Sequence, residues 1–186
     1  MSFIASDLDQ VLESGDNDEP AKATPAPMPG GYNGRIEREG DVDHFRFKTT
    51  KGRTYTFEVF ARRYGSSLDS FIQITDTQGK PLANNDDAVG KDSRLDWTAP
   101  ADGEYLLQIR DLHSRGGETY VYHVAATPAQ PDFSLRCDDD KALVGPGSGY
   151  AMYVLATRRN GFNGEIKLSV ENLPPGVTVI ADRVRE

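Results

Sequence analysis

The sequence predicts an all-β protein: an antiparallel β-sandwich followed by a second, smaller β-unit. Three observations predict it. From residue 32 onward, apolar and polar residues alternate in short runs, the period of half-buried strands. Turn-forming residues punctuate those runs at short intervals, drawn from 18 Gly and 11 Pro. No stretch between 32 and 127 carries a helical period of convincing length.

The elements follow in order. Phe3, Ile4, Leu8, Val11 and Leu12 have mixed spacing, compatible with a short helix or strand. Residues 13–31 read as linker, because Pro20, Pro25, Pro27 and Pro29 break regular structure and favour an extended path. Phe45 and Phe47 then alternate with His44, Arg46 and Lys48, and Lys51-Gly52 marks a turn. Tyr55, Phe57, Val59 and Ala61 make the next run, which places Phe60 on the opposite face. Ile72 and Ile74 precede the turn Asp76-Thr77-Gln78-Gly79. Leu95 and Trp97 lead to Ala99-Pro100-Ala101-Asp102-Gly103. Tyr105, Leu107 and Ile109 form one face of a strand, and Tyr120, Tyr122 and Val124 follow Gly116-Gly117. Thr127-Pro128-Ala129-Gln130-Pro131-Asp132 looks like an interdomain connection. Four further strands are expected at 133–135, 152–155, 166–170 and 177–180. The domain reading is therefore 1–31 as acidic, Pro-rich linker, 32–127 as sandwich, 128–132 as linker and 133–186 as second unit.

Composition narrows the function classes. A chain of 186 residues holds one large or two small domains. Its net charge is −8, and residues 1–31 carry six acids against Lys22 alone. An acidic chain without a basic stripe is a poor partner for nucleic acid or an anionic membrane, and no run reaches membrane-spanning length. Cys137 is the single cysteine, so no intrachain disulfide forms. Met1 to Asp7 lacks the basic start and apolar run of a signal peptide, so work outside the cell implies a piece of a longer chain.

Two acidic clusters flank the Pro-rich stretch: Glu13, Asp16, Asn17, Asp18 and Glu19, then Asp41 and Asp43 at a strand entrance. Converging carboxylates and amide oxygens suit a hard cation such as Ca²⁺, which takes six to eight oxygens. The alternative is a solvated linker plus a turn in which Asp41 caps backbone amides. Asn85, Asp86 and Asp87, within Asn84-Asn85-Asp86-Asp87, form a second, weaker candidate whose alternative is a hairpin turn. The spacing is not that of an EF-hand. Catalysis has little to stand on. His44, His113 and His123 are scattered, with His44 and His123 placed on solvated faces by the alternation. Ser148 lacks the spacing of a nucleophile elbow, and the three aspartates after Cys137 disfavour a thiolate. Tyr32, Phe60 and Tyr64 are candidates for a ligand platform, with core packing as the alternative for most aromatics.

An ordered series of motifs resembles the bacterial pre-peptidase C-terminal domain. It runs Asn17-Asp18, Gly34-Arg35-Ile36, Gly40-Asp41-Val42-Asp43-His44-Phe45, Gly65-Ser66-Ser67-Leu68-Asp69, Asn84-Asn85-Asp86-Asp87, Asp92-Ser93-Arg94-Leu95 and Ala101-Asp102-Gly103-Glu104-Tyr105, spanning roughly 13–126. The resemblance implies a jelly-roll β-sandwich appended to secreted proteases and other exported proteins. In collagen-binding relatives, an acidic linker and an aspartate pair hold calcium. Glu13, Asn17, Asp18, Asp41 and Asp43 match that pattern, while Gly15 and Asp16 stand where it has Glu and Pro. The stretch Gly161-Phe162 to Val170, followed by Leu173-Pro174-Pro175-Gly176-Val177, resembles the start of a bacterial immunoglobulin-like module. Together these imply a non-catalytic accessory module, calcium-stabilised, with neighbouring domains of a longer chain as partners. The location implied is extracellular, cell-surface or periplasmic. A module binding polysaccharide or extracellular matrix protein, and a purely structural spacer, are the other readings.

Overall fold

The computed structural model describes residues 5–87, 90–180 and 183–184. The chain divides into two units between Ala129 and Gln130.

Among the described residues, the first unit carries ten strands. They are β1 (Gln10–Leu12), β2 (Thr24–Pro25), β3 (Gly30–Arg35), β4 (Val42–Thr49), β5 (Thr54–Phe60), β6 (Ser70–Thr75), β7 (Pro81–Asn85), β8 (Arg94–Thr98), β9 (Gly103–Asp111) and β10 (Val121–Pro128). They form two five-stranded sheets, ordered β1-β3-β10-β5-β8 and β2-β4-β9-β6-β7. From β3 onward every pairing is antiparallel, and the two four-strand sets interleave as the two Greek keys of a jelly roll. The alternation expected of Phe45/Phe47, Tyr55/Phe57/Val59, Ile72/Ile74 and Tyr105/Leu107/Ile109 turns these side chains into the space between the sheets. Their rings interlock there. Tyr32 stacks on Phe45 at 5.1 Å, Phe45 meets Tyr122 edge-on at 6.4 Å, and Trp97 meets Tyr105 at 4.9 Å.

Two expectations need correction. The sheets are mixed, because β1 runs parallel to β3 and β2 parallel to β4. Residues 13–31 are also not a free linker. The segment leaves β1 at the edge of one sheet, crosses to the other and enters it as β2. On the way Asn17 O accepts from His44 N at 3.2 Å, Pro20 O accepts from Arg46 Nη2 at 3.2 Å, and Ala26 N donates to Arg46 O at 2.8 Å. Prolines suit such a path, since an edge strand leaves one row of N–H groups unused. This strap lies along the outer face of the β4 sheet. There Leu106, the cross-strand partner of Arg46, is fully buried although it points away from the core.

Three buried aspartates organise the loops at one end of the sandwich. Asp111 Oδ2 accepts from Asp69 N at 3.0 Å. Its Oδ1 accepts from His113 N and Arg115 N, both at 3.0 Å, and from Arg115 Nε at 3.2 Å. Asp92 takes Arg62 N at 2.7 Å, with Arg63 N and Nε at 3.2 and 2.7 Å. Asp69 faces Lys91 Nζ at 2.5 Å. Asp69 and Asp92 belong to the motif series read from the sequence; Asp92 holds backbone N–H groups, whereas the Asp69 carboxylate faces the side chains of Lys91 and His113.

The second unit holds two antiparallel ribbons, β11 (Asp132–Cys137) with β12 (Val154–Arg159) and β13 (Ile166–Lys167) with β14 (Arg183–Val184). Strand formation expected at 177–180 does not occur, and the one at 166–170 stops at Lys167. Phe133 packs on Phe162 at 5.0 Å, and Ile166 is buried.

Candidate metal centre

The strap brings most of the first acidic cluster onto the entrance of β4. Glu13 follows β1, whose parallel pairing with β3 aims the side chain at Arg35, and Glu13 Oε1 accepts from Arg35 N at 2.8 Å. Its other oxygen lies 3.2 Å from the Tyr122 hydroxyl. That same hydroxyl donates to Asp43 Oδ2 at 2.6 Å. One phenolic proton therefore serves two carboxylates. Gly34 makes the room: a Cβ there would stand 2.3 Å from Tyr122 Oη and 2.7 Å from Glu13 Cδ.

Asn17 closes the other side. One end of its carboxamide lies 3.1 Å from Asp43 Oδ1 and 3.0 Å from the Ser14 carbonyl oxygen. With nitrogen on that side, Asn17 donates to both. With oxygen there, three oxygens crowd at separations that neighbours around one Ca²⁺ have, given Ca–O distances of roughly 2.3–2.6 Å. Asn17 is 2% exposed, so water does not resolve the choice cheaply.

Asp41 and Asp18 make a second pair beside the first. Asp41 Oδ2 accepts from Glu37 N at 2.5 Å, and Asp41 Oδ1 is 3.6 Å from Arg38 Nη1. Arg38 also bonds Asp18 through its Nη2. The Arg38 guanidinium thus bridges one acid of the strap and one of the strand entrance.

The electrostatics follow from burial. Asp43 is 2% exposed, and removal from water together with the adjacent Glu13 carboxyl pushes its pKa up to about 9. Burial raises Asp41 as well, with Asp18 adding to the shift. Tyr122 is held well above the ordinary phenol by burial and by Asp43 and Glu13. Such a group must either keep a proton or hold a cation.

The residues read from the sequence do not all converge. Asp16 turns outward to pair with Lys22 at 3.0 Å and is not part of the site. Asn85, Asp86 and Asp87 shape a loop: Asn85 Oδ1 accepts from Arg94 N, and Asp86 Oδ1 from Asp87 N, both at 3.0 Å. Among the described residues, no set of three or more His, Cys, Asp or Glu stands as a finished metal cluster. The candidate centre is a mixed one, of carboxylates, a carboxamide and a main-chain carbonyl. Tyr122, Gly34 and Ser14 escaped sequence reading. The signal that could have found Tyr122 is that a tyrosine on a core-facing strand position needs a partner for its hydroxyl.

The ligand platform is corrected too. Tyr32 is fully buried, its hydroxyl donating to Pro27 O at 2.8 Å, so it cannot meet a ligand. Phe60 and Tyr64 do share the outer side of the β5 sheet, 6.2 Å apart, with Arg63 stacked 4.4 Å over Phe60. His44 and His123 are buried rather than solvated. The strap covers His44, whose Nδ1 lies 3.0 Å from Asn17 O, and Phe60 packs beside His123 at 5.9 Å. Burial lowers the pKa of both rings.

No family model matches the chain. A stretch of 112 residues is 39% identical to a probable subtilase-type serine protease of Deinococcus radiodurans, and the match takes in 56% of this chain and 15% of that protein. The chain therefore spans about a seventh of that relative's length. Among solved structures, the pre-peptidase C-terminal domain of a Bacillus anthracis collagenase aligns with a TM-score of 0.45 and 13% identity, over 56% of this chain and 93% of that one. A periplasmic inhibitor of g-type lysozyme from Aeromonas hydrophila aligns with a TM-score of 0.42 and 20% identity, over 56% and 95%.

Proposed function

We propose that the first unit is a non-catalytic accessory module of an exported multidomain protein, and that Ca²⁺ clasps its strap to the sandwich. The observation that supports this most is the buried meeting of Glu13, Asn17 and Asp43, with Asp18 and Asp41 beside it. Glu13, Asn17 and Asp18 come from the strap; Asp41 and Asp43 come from β4 and the turn before it. An ion between them takes up the charge that otherwise has to be protonated, and ties the two parts of the chain together. Binding to the folded form alone stabilises it by mass action. An affinity of roughly 10⁻⁴–10⁻³ M suffices for an extracellular module.

The accessory role rests on the match to a short part of a protease and on the employment of the polar side chains. His44 and His123 are buried against Asn17 and Asn33, and His113 stands at the Asp69 loop. Neighbouring domains of a longer chain are the natural partners, and an extracellular, cell-surface or periplasmic setting supplies the calcium. Among the described residues, no helix is long and apolar enough to cross a membrane.

The test is thermal unfolding in Ca²⁺, in Mg²⁺ and in chelator. A midpoint raised by millimolar Ca²⁺, and unmoved by it in Asp43→Ala, is the expected result. An identical midpoint in all three conditions rules the clasp out.

A further inference from the structure

The outer face of the β4 sheet carries an arrangement that neither the core nor the clasp uses. Asn84 of β7, Gln73 of β6 and Gln108 of β9 stand opposite one another in register. Ile72, Ile74, Leu107 and Ile109 alternate with them and fill the core, so the three carboxamides face outward. Gln108 is next paired with His44, where the strap begins to cover the sheet. Among the described residues, none of the three carboxamides hydrogen-bonds to another protein group. The carboxamides of Asn17, Asn33 and Asn85, by contrast, each hold a neighbour.

The row has one firm flank. Phe71 is the cross-strand partner of Arg110, whose guanidinium sits 4.2 Å over its ring. Arg110 Nη1 donates to Asp111 O at 3.1 Å and Leu112 O at 3.4 Å, which fixes the group in place. On the other side of the row, displaced along the strand direction, Leu82 is 40% exposed two residues before Asn84. Adjacent strands lie about 4.8 Å apart, so the three amides span roughly 10 Å in a line across the strands.

We propose that this row is a binding site for a neutral glycan chain. Each carboxamide offers two donors and an acceptor without charge. Hydroxyl groups both donate and accept, so an uncharged, hydroxyl-rich chain can use every member of the row. An anionic polymer would need more cations than Arg110 supplies. An extended peptide would pair with a sheet edge through its backbone rather than lie across a face. Phe71 and Leu82 provide apolar contact on either side of the row for sugar C–H faces. The site shares no residue with the calcium clasp and stands or falls separately from it.

The experiment is side-chain amide NMR on the ¹⁵N-labelled 186-residue chain, titrated with cellohexaose, laminarihexaose and N,N′-acetylated chitohexaose. Saturable shifts of the Gln73, Gln108 and Asn84 NH₂ signals are expected with at least one glycan, while those of exposed Gln78 and Gln130 stay put. The double variant Gln73→Ala/Gln108→Ala should weaken binding at least tenfold with an unchanged melting midpoint and an unchanged response to Ca²⁺. Gln108→Glu, which keeps the size and adds a charge, should weaken it as well. The absence of shifts with all three glycans overturns the proposal. So do shifts that centre on Phe60 and Tyr64, and so does equal binding by the double variant.

Discussion

Tyr122 Oη lies 2.6 Å from Asp43 Oδ2 and 3.2 Å from Glu13 Oε2, so a strand of one sheet holds together a carboxylate of the other sheet and a carboxylate of the strap. Two acids share one donor in a place from which water is excluded. That relationship makes the charge on the pair depend on pH.

Stability in chelator should fall as pH rises. Burial and Glu13 keep the Asp43 proton in place to about pH 9, whereas an unfolded chain releases it near pH 4. The folded state then holds the extra proton between those values, and stability declines through the window by up to about 1.4 kcal/mol per pH unit. The contribution is complete below about pH 4 and lost above about pH 9. Melting curves from pH 5 to 9 should show the decline in wild type, a flatter profile in Asp43→Asn, and its removal by Ca²⁺. Equal slopes in wild type and Asp43→Asn would show that another group titrates.

Gly34→Ala should act on the site without replacing a ligand. Its Cβ must push aside the Tyr122 hydroxyl and the Glu13 carboxyl, both held in place by packing and hydrogen bonds. A loss of about 1–3 kcal/mol is expected from overpacking, together with loss of the calcium shift. Gly31→Ala is the comparison, because the atoms nearest its Cβ belong to the end of the exposed Gln10 side chain. Denaturant unfolding of both variants, with and without Ca²⁺, measures the difference.

Arg38 should compete with the ion. Its guanidinium bridges Asp18 and Asp41, the position of a cation between strap and strand entrance. Arg38→Gln leaves those two acids without a counter-charge, so the variant should melt lower than wild type in chelator and gain more from Ca²⁺. Calorimetric titration should give a tighter calcium constant for the variant. A weaker constant would mean that Arg38 supports the ion rather than replacing it.

Asp111 should carry the acid limit of stability. Burial alone would raise its pKa, but the N–H groups of Asp69, Arg115 and His113 and the Arg115 guanidinium outweigh that and hold it below the usual carboxylate range. A depressed folded value stabilises above about pH 4 and is lost as pH falls through the folded value. Asp111→Ala strands at least three backbone donors and should cost about 3 kcal/mol or more at pH 7. It should also flatten the acid limb. A cost below about 1 kcal/mol would show that water replaces the carboxylate readily.

The sandwich was legible wherever one face of a strand meets the core and the other meets water. Phe45/Phe47 and Tyr105/Leu107/Ile109 alternate for that reason. The strap hid itself, because a three-residue β1 and a two-residue β2 rich in proline have no period to read. The solvated placement of His44 failed with it. His44 and Leu106 occupy outward positions and are nevertheless buried. Tyr32 is an aromatic that would suit a ligand face, but the glycines around it let Gln10, Pro27 and Tyr122 come close and the ring is enclosed. The acidic pairing of Glu13 and Asn17 with Asp43 was visible as composition, but the outward turn of Asp16 depends on Lys22, which pattern alone does not weigh.

The parallel strands β1 and β2 have a consequence for the company this unit keeps. In a bare eight-stranded jelly roll, β3 and β4 would each present an open row of N–H and C=O groups, a template on which another chain can add a strand. The strap occupies both rows at once, one at each end of its path. A clasp that secures the strap therefore also guards the sheets against exchange between copies. In a long chain with one sandwich after another, that keeps each one folded on itself.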